Sequence, residues 1–140
     1  MAEYIANALQ TVASNQDVLF TDTTVCSNNS IVHRPGSGIV TLRGLTNQCR
    51  ARFKVTFGAN IAIPTDGVVQ PISVAIAISG EPITSTSMIV TPAAIEQFFN
   101  VSRSIYIDVP AGCCSQISVK NTTTSSINVE NANLIVERVA

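Results

Sequence analysis

The sequence predicts an all-β protein with an antiparallel jelly-roll or β-sandwich fold. Alternation of apolar and polar residues is common along the chain, whereas the spacing of an amphipathic helix is rare. Turn-forming segments recur at intervals of about ten residues, which is typical of sandwiches and jelly rolls. The 140 residues suffice for one domain, and no repeat, low-complexity block or linker divides them.

Eight or more short strands are predicted. In chain order they span residues 17–20, 39–43, 49–57, 72–79, 87–90, 104–109, 116–120, 127–129 and 133–139. The side chains of the third strand that are expected to point inward are Cys49, Ala51, Phe53, Val55 and Phe57. Residues 91–97 are the one internal helix candidate, because Thr91 can cap a helix and Pro92 suits its first position. The alternative for this segment is an irregular crossover.

The strand at 72–79 is apolar on one side and small and neutral on the other. Ile72, Val74, Ile76 and Ile78 form an ordinary core side, whereas the opposite side consists of Ser73, Ala75, Ala77 and Ser79. A strand without a wet face must be covered on both sides. A loop or the N-terminal segment of the same chain can do this, but small side chains favour the close approach of an identical subunit. We therefore expect these four residues to form the subunit interface of a homotrimer.

The first sixteen residues differ in texture from the rest. We expect 1–16 to be an N-terminal arm or docking segment and 17–140 to be a single jelly-roll domain. Tyr4, Ile5, Ala8 and Leu9 can share one face of a short helix or of an extended arm, and they are the predicted docking residues.

Charged residues are scarce. They make up 12% of the chain, against about 25% in a typical soluble domain, while 46% of the residues are hydrophobic. This composition favours a surface that is partly covered by other subunits or by a larger assembly. The net charge is −1, and Arg50, Arg52 and Lys54 are the closest basic cluster, without interleaved aromatics, so we expect no nucleic-acid partner. We also expect no membrane partner and synthesis in the cytoplasm, because no apolar run or basic leader is present.

The sequence carries no pattern that predicts catalysis. The single histidine, His33, precedes a turn, where a structural hydrogen bond is expected rather than a catalytic role. The acids are isolated, and no spacing indicates a metal or cofactor site, so no catalytic, metal-binding or cofactor-binding residue is nominated. The cysteines are Cys26, Cys49, Cys113 and Cys114, and we expect them to be buried, reduced thiols. Disulfides from the adjacent pair to Cys26 and Cys49, or to another chain, are the alternative.

Several runs of the chain carry a resemblance to a known class of proteins. They are Val18-Leu19-Phe20, GSGIVTLRG at 36–44, RARFKVTFGANIAIP at 50–64, ISVAIAISGEPI at 72–83 and ANLIVERV at 132–139. Together they resemble the jelly roll of the tumour-necrosis-factor and complement-head type, and more closely small virion proteins of tailed bacteriophages. The resemblance lies in the residue pattern of the strands and covers most of the chain.

This resemblance implies a trimeric jelly roll attached to a virus particle. We expect no collagen-like or coiled-coil stalk before the domain, which favours a head-decoration protein that binds the major capsid protein on the outside of the capsid. The alternative is a receptor- or carbohydrate-binding fibre tip, whose contact loops would lie around Asn28, at 65–67 and at 121–125. These loops lack the aromatic platform that sugar sites usually offer.

Overall fold

A computed structural model describes residues 2–25 and 30–139, which form two six-stranded antiparallel sheets packed face to face. The strands are β1 (Ala2–Ala6), β2 (Gln10–Val12), β3 (Asp22–Val25), β4 (Ile31–His33), β5 (Val40–Arg43), β6 (Arg50–Ala62), β7 (Ile72–Ile78), β8 (Glu81–Pro82), β9 (Met88–Val90), β10 (Phe99–Pro110), β11 (Cys114–Asn121) and β12 (Ile127–Arg138). The predicted all-β sandwich is confirmed, and one 3₁₀ turn at Thr84–Thr86 is the helical element of the described residues.

Sheet 1 has the strand order β10–β6–β12–β1–β3, with β2 also paired to β12. Sheet 2 has the order β4–β5–β11–β7–β8, with β9 also paired to β7. Strands that are distant in sequence lie side by side in both sheets, so the chain crosses repeatedly from one sheet to the other. The first and last strands, β1 and β12, are neighbours inside sheet 1.

The longest strand, β6, organises the core. Its inward side chains alternate as the sequence predicts: Ala51, Phe53, Val55 and Phe57 are fully buried. Phe57 meets the ring of Phe20 edge-on, with centroids 6.4 Å apart. The side chains of β6 between them are half-buried or exposed, so this strand has one core side and one outer side.

The N-terminal segment is a strand of sheet 1 and not a free arm, which corrects the prediction for residues 1–16. β1 lies between β12 and β3, and its alternate side chains Ala2, Tyr4 and Ala6 are buried in the core. The period-two pattern of Ala2–Ala6 fits this placement. Residues 2–6 therefore belong to the same folding unit as residues 17–25 and 30–139.

Three other predicted elements differ in the structure. Residues 17–20 form no strand and make a single bridge between Asp17 and Lys120. Residues 91–97 form the irregular crossover and not the helix, and Glu96 adopts a positive φ of 59° there. The two C-terminal strands are one strand, β12, interrupted by a bulge between Glu130 and Asn133, where Asn131 has a φ of 56°.

Substitution of Phe57 tests the role of β6 in the core. Phe57→Ala removes a fully buried ring, and we expect it to lower the free energy of unfolding by about 3–5 kcal/mol in urea denaturation. The matched control is Phe98→Ala, which truncates a ring that is 41% exposed. Equal losses for the two variants would contradict this account of the core.

Candidate subunit-contact surface

The small side of β7 is covered within the single chain. Ala75 and Ala77 expose no surface, whereas Ser73 is half-buried and Ser79 is exposed. The neighbours of the two alanines across β11 are Lys120 and Ser118. A methyl group flanked by longer cross-strand side chains is shielded without a second sheet or subunit.

This burial corrects the interface predicted at Ser73, Ala75, Ala77 and Ser79. Ala75 and Ala77 cannot contact a partner directly, because they have no accessible surface to contribute. Ser73 donates and accepts hydrogen bonds within the chain, with its Oγ 2.6 Å from Thr122 Oγ1. Ser79 is the exposed member, and it adopts a positive φ of 52° where the chain turns towards β8.

The predicted docking residues are split between the core and the surface. Tyr4 is 3% exposed and packs on the ring of His33, with centroids 4.4 Å apart, so it cannot contact a capsid. Ile5 is half-buried on the outer side of sheet 1. Ala8 and Leu9 are exposed beyond the end of β1, and their docking role stays a prediction.

The outer side of sheet 1 carries two neighbouring rows of mostly neutral side chains. Strand register places Ile5, Asn133, Gly58 and Ser102 in one row, and Ile135, Thr56 and Ser104 in the next, which Glu3 on β1 ends. We call these seven residues the neutral face. Ile5 and Ile135 are half-buried, Ser102 and Ser104 are exposed, and all seven project away from the core.

Hydrogen bonds hold the edges of the neutral face. Thr56 Oγ1 bonds to Ser104 Oγ between β6 and β10. On the opposite edge, Glu3 Oε2 accepts a 2.6 Å bond from Asn133 Nδ2, and Glu3 Oε1 accepts one of 2.8 Å from Thr24 Oγ1. The bond from Asn133, followed by the bond from Thr24, lowers the pKa of the Glu3 carboxyl below its usual range. The charge that borders the neutral face is therefore fixed in place.

A charged end follows the neutral face towards Cys49. Asp108 accepts a 2.8 Å hydrogen bond from Arg52 Nε, and Arg50 Nε lies 3.5 Å from the same carboxylate. The hydrogen bond from Arg52 lowers the pKa of the Asp108 carboxyl, and it raises the pKa of Arg52 in turn. Tyr106 stands beside this pair, 66% exposed, in a groove of about 500 Å³ that Val139 also lines.

Apolar side chains are exposed in two loops and at the first residue of β10, at the other end of the sandwich. They are Val68, Val69, Ile95, Phe98 and Phe99, and we call them the apolar loop end. The loops that carry them are joined by a bond from Glu96 N to Ile63 O at 2.8 Å and one from Thr65 Oγ1 to Glu96 Oε1 at 2.7 Å. Sequence reasoning missed this surface, because the two loops are far apart in the chain.

Residues 121–125, one of the segments expected to contact a receptor or sugar, have mostly internal contacts. Asn121 is fully buried, and its Nδ2 donates to Val12 O at 3.0 Å and to Ser125 O at 2.9 Å. Thr123 is also buried, whereas Thr124 is exposed. The part of the predicted surface around Asn28 lies outside the described residues.

The predicted structural role of His33 is confirmed. Its Nε2 donates to Ser37 O at 2.8 Å across the turn, and its ring packs between Tyr4 and Phe20. Among the described residues no group of three or more His, Cys, Asp or Glu side chains could hold a metal ion. Within residues 2–25 and 30–139, no helix is long and apolar enough to cross a membrane.

The prediction of buried cysteines is wrong for three of the four. Cys49, Cys113 and Cys114 are free thiols and are exposed: Cys49 precedes the first paired residue of β6, Cys113 lies in the turn before β11, and Cys114 is the first residue of β11. Cys26 lies outside the described residues. Alternation placed Cys49 inward, but it falls beyond the sheet that would bury it.

Comparisons with known proteins identify the fold. The sequence matches no profile of a known family and no curated protein. The structure is similar to the globular domain of the zebrafish complement 1qA protein, at 11% identity and a TM-score of 0.63, covering 96% of this chain and 94% of that domain. It is also similar to murine APRIL, at 7% identity and a TM-score of 0.56, covering 91% and 96% of the two chains.

At these identities the likeness concerns the fold, and it confirms the jelly roll of the complement-head and tumour-necrosis-factor type. The resemblance to virion proteins stays a prediction.

Substitution of Ala75 distinguishes burial inside the protomer from burial between subunits. Ala75→Glu places a charge in a site without accessible surface, and we expect it to destabilise the protomer by about 3–5 kcal/mol. Ser79→Glu, on the same strand side but exposed, is the control and should change the unfolding midpoint little. A folded, soluble Ala75→Glu monomer of normal stability would instead support the subunit interface that the sequence predicts on β7.

Proposed function

We propose that the chain is a non-catalytic structural module that forms a homotrimer through the neutral face and binds a larger protein shell. The single observation behind the proposal is the outer side of sheet 1, where two neighbouring rows cross β12, β6 and β10 without a charged side chain, and Glu3 on β1 is the one charge that ends the second row. It is unfavourable to leave an extended, neutral and partly apolar surface in water. Such a surface loses little hydration free energy when a partner covers it.

The composition of the neutral face suits a close subunit contact. Gly58, Ser102 and Ser104 are small, so a second protein surface can approach the backbone of sheet 1. Tyr106 adjoins these rows with 66% of its surface exposed, and an exposed tyrosine at the margin of such a surface is a favourable contact residue. A contact of roughly 800 Å² per partner is standard for stable complexes.

A closed ring is the form of assembly that we propose. The neutral face lies on one side of sheet 1, so a contact with the edge of a neighbouring sandwich is heterologous and must close to avoid an open filament. Three subunits close such a ring in the trimer that the sequence resemblance implies. The subunit contact in this proposal lies on sheet 1 and not on β7, where the sequence predicts it.

The shell-binding surface in this proposal is the apolar loop end, together with Ala8 and Leu9. Val68 and Val69 are 74% and 51% exposed, and Phe98 adds an aromatic side chain nearby in the crossover loop. Exposed apolar side chains that are concentrated in adjoining loops more often mark an interaction site than a surface without a partner. A trimer presents three copies of this surface at once, which raises avidity for a shell with matching symmetry.

The finer proposal is a head-decoration protein on the outside of a tailed-phage capsid, made in the cytoplasm of the host. It draws on the sequence resemblance to small virion proteins and on the scarcity of charge. Co-sedimentation of the purified protein with undecorated capsids tests it. Binding to capsids supports decoration, whereas binding to host cell-wall polysaccharide without capsid binding would favour the fibre tip and overturn it.

Two paired variants test the subunit contact. Ser104→Arg places a long charged side chain without a partner in every copy of the contact, and we expect light scattering to show monomers at concentrations where the wild type is trimeric. The control is Thr41→Arg on β5, a half-buried position between the buried Val40 and Leu42 on the outer side of sheet 2. A trimeric Ser104→Arg protein with normal stability would refute the neutral face as the contact.

Asp variants at the loops test the shell contact separately. Val68→Asp combined with Val69→Asp should leave the trimer intact and lower the capsid-bound fraction at least about tenfold, because a charge replaces apolar surface in each copy. The matched change is Val32→Asp, at an apolar position that is 46% exposed on β4. Equal binding by the double variant and the Val32 control would exclude the apolar loop end.

A further inference from the structure

Three exposed thiols occupy the same end of the sandwich. Cys49 O accepts a 3.0 Å hydrogen bond from Ala111 N, in the turn that leads to Cys113 and Cys114. Gly44 N donates to Cys113 O at 2.9 Å, which ties the chain before β6 to the same turn. All three thiols are free and accessible to small reagents in the protomer.

Close packing fixes the backbone at this end. A Cβ atom on Gly44 would lie 2.2 Å from Pro110 O, so only glycine permits the observed approach of the two segments. Gly112 N donates a further bond to Gly44 O at 3.0 Å. The thiol-bearing segments are therefore held together by the backbone, and the position of Cys49 relative to its neighbours is defined.

Cys49 lies beside two arginines. It lines a groove of about 230 Å³ together with Gln48, Arg50 and Arg52. Asp108 contacts both guanidiniums, so the two positive groups and one negative group leave a net charge of +1 beside the thiol. A guanidinium recognises a carboxylate through paired N–H donors, and Gln48 adds a neutral donor and acceptor.

We propose that Cys49 is a site of S-thiolation by anionic low-molecular-weight disulfides, of which glutathione disulfide is the representative. The carboxylates of the disulfide bind at Arg50 and Arg52 while one of its sulfur atoms meets Cys49 Sγ. This inference is independent of the proposed virion function, because it concerns a groove at the charged end of the sheet.

The exchange requires no oxidant besides the disulfide itself. The Cys49 thiolate attacks one sulfur atom, the S–S bond of the reagent breaks, and a new bond joins Cys49 Sγ to the attacked sulfur. The other half of the reagent leaves as a thiolate, and the proton of Cys49 passes to solvent. Cys49 is oxidised to a mixed disulfide while one equivalent of the reagent is reduced to a thiol.

Labelling of the full-length protein with limiting reagent tests the proposal, with Cys113 as the internal comparison. One arm uses the dianionic 5,5′-dithiobis(2-nitrobenzoate), a second the neutral 2,2′-dithiodipyridine, and a third glutathione disulfide; peptide mapping locates the label. We expect the ratio of the dianionic to the neutral rate to be about tenfold higher at Cys49 than at Cys113, since charge complementarity raises encounter rates by about this factor or more.

Salt and substitution provide the controls. The preference at Cys49 should fall several-fold between about 0.01 M and about 1 M ionic strength, where the Debye length shrinks from about 30 Å to about 3 Å. Arg50→Gln should reduce it similarly, whereas Arg34→Gln, which neutralises an exposed arginine in the turn after β4, should not. Equal ratios at Cys49 and Cys113, an unchanged ratio in Arg50→Gln, or no label at Cys49 would each overturn the proposal.

Discussion

The pairing of β6 with β10 on one side and β12 on the other is the constraint on which the rest of the structure depends. The register runs from Arg50 opposite Pro110 to Ile61 opposite Phe99, and Ala62 pairs with Asn128 of β12, so every residue of β6 has a fixed cross-strand neighbour. Because successive residues alternate between the two sides of a sheet, this one register decides both the core and the outer side. A shift by one residue would turn Phe57 to the outer side and Thr56 towards the core. The core and the outer side would then both be lost.

The sequence was sufficient for the strands whose alternation is strong, and insufficient where burial depends on distant segments. β6 was predicted correctly from residue 50 to 57, because large apolar and polar residues alternate there without interruption. β1 was missed, although Ala2, Tyr4 and Ala6 have the same period, since two alanines give a weak signal. Its placement between β12 and β3 is set by pairings with the far end of the chain, which no local pattern reveals.

The candidate surface was harder to predict for a related reason. The alanines of β7 indicated a close approach, and the approach exists, but the neighbours are side chains of adjacent strands in the same subunit. The neutral face, in contrast, is assembled from four strands that contribute one or two residues each. Only the register aligns Ile5 with Gly58 and Ser102, so the sequence alone could predict covered surface from the low charge but not its location.

The distribution of charge along sheet 1 separates the region proposed for subunit contact from the region around the Cys49 thiol. Burying Arg50, Arg52 and Asp108 in a subunit contact would cost the hydration of three charged groups, and their mutual bonds repay that cost incompletely. A contact that covers the neutral rows is therefore expected to end near Tyr106. Cys49 precedes β6 and lies beyond this boundary, in a groove whose charge discourages burial and attracts anionic reagents. Arg50 and Arg52 thus limit the extent of the subunit interface, and the same two arginines make the Cys49 thiol selective for anionic reagents.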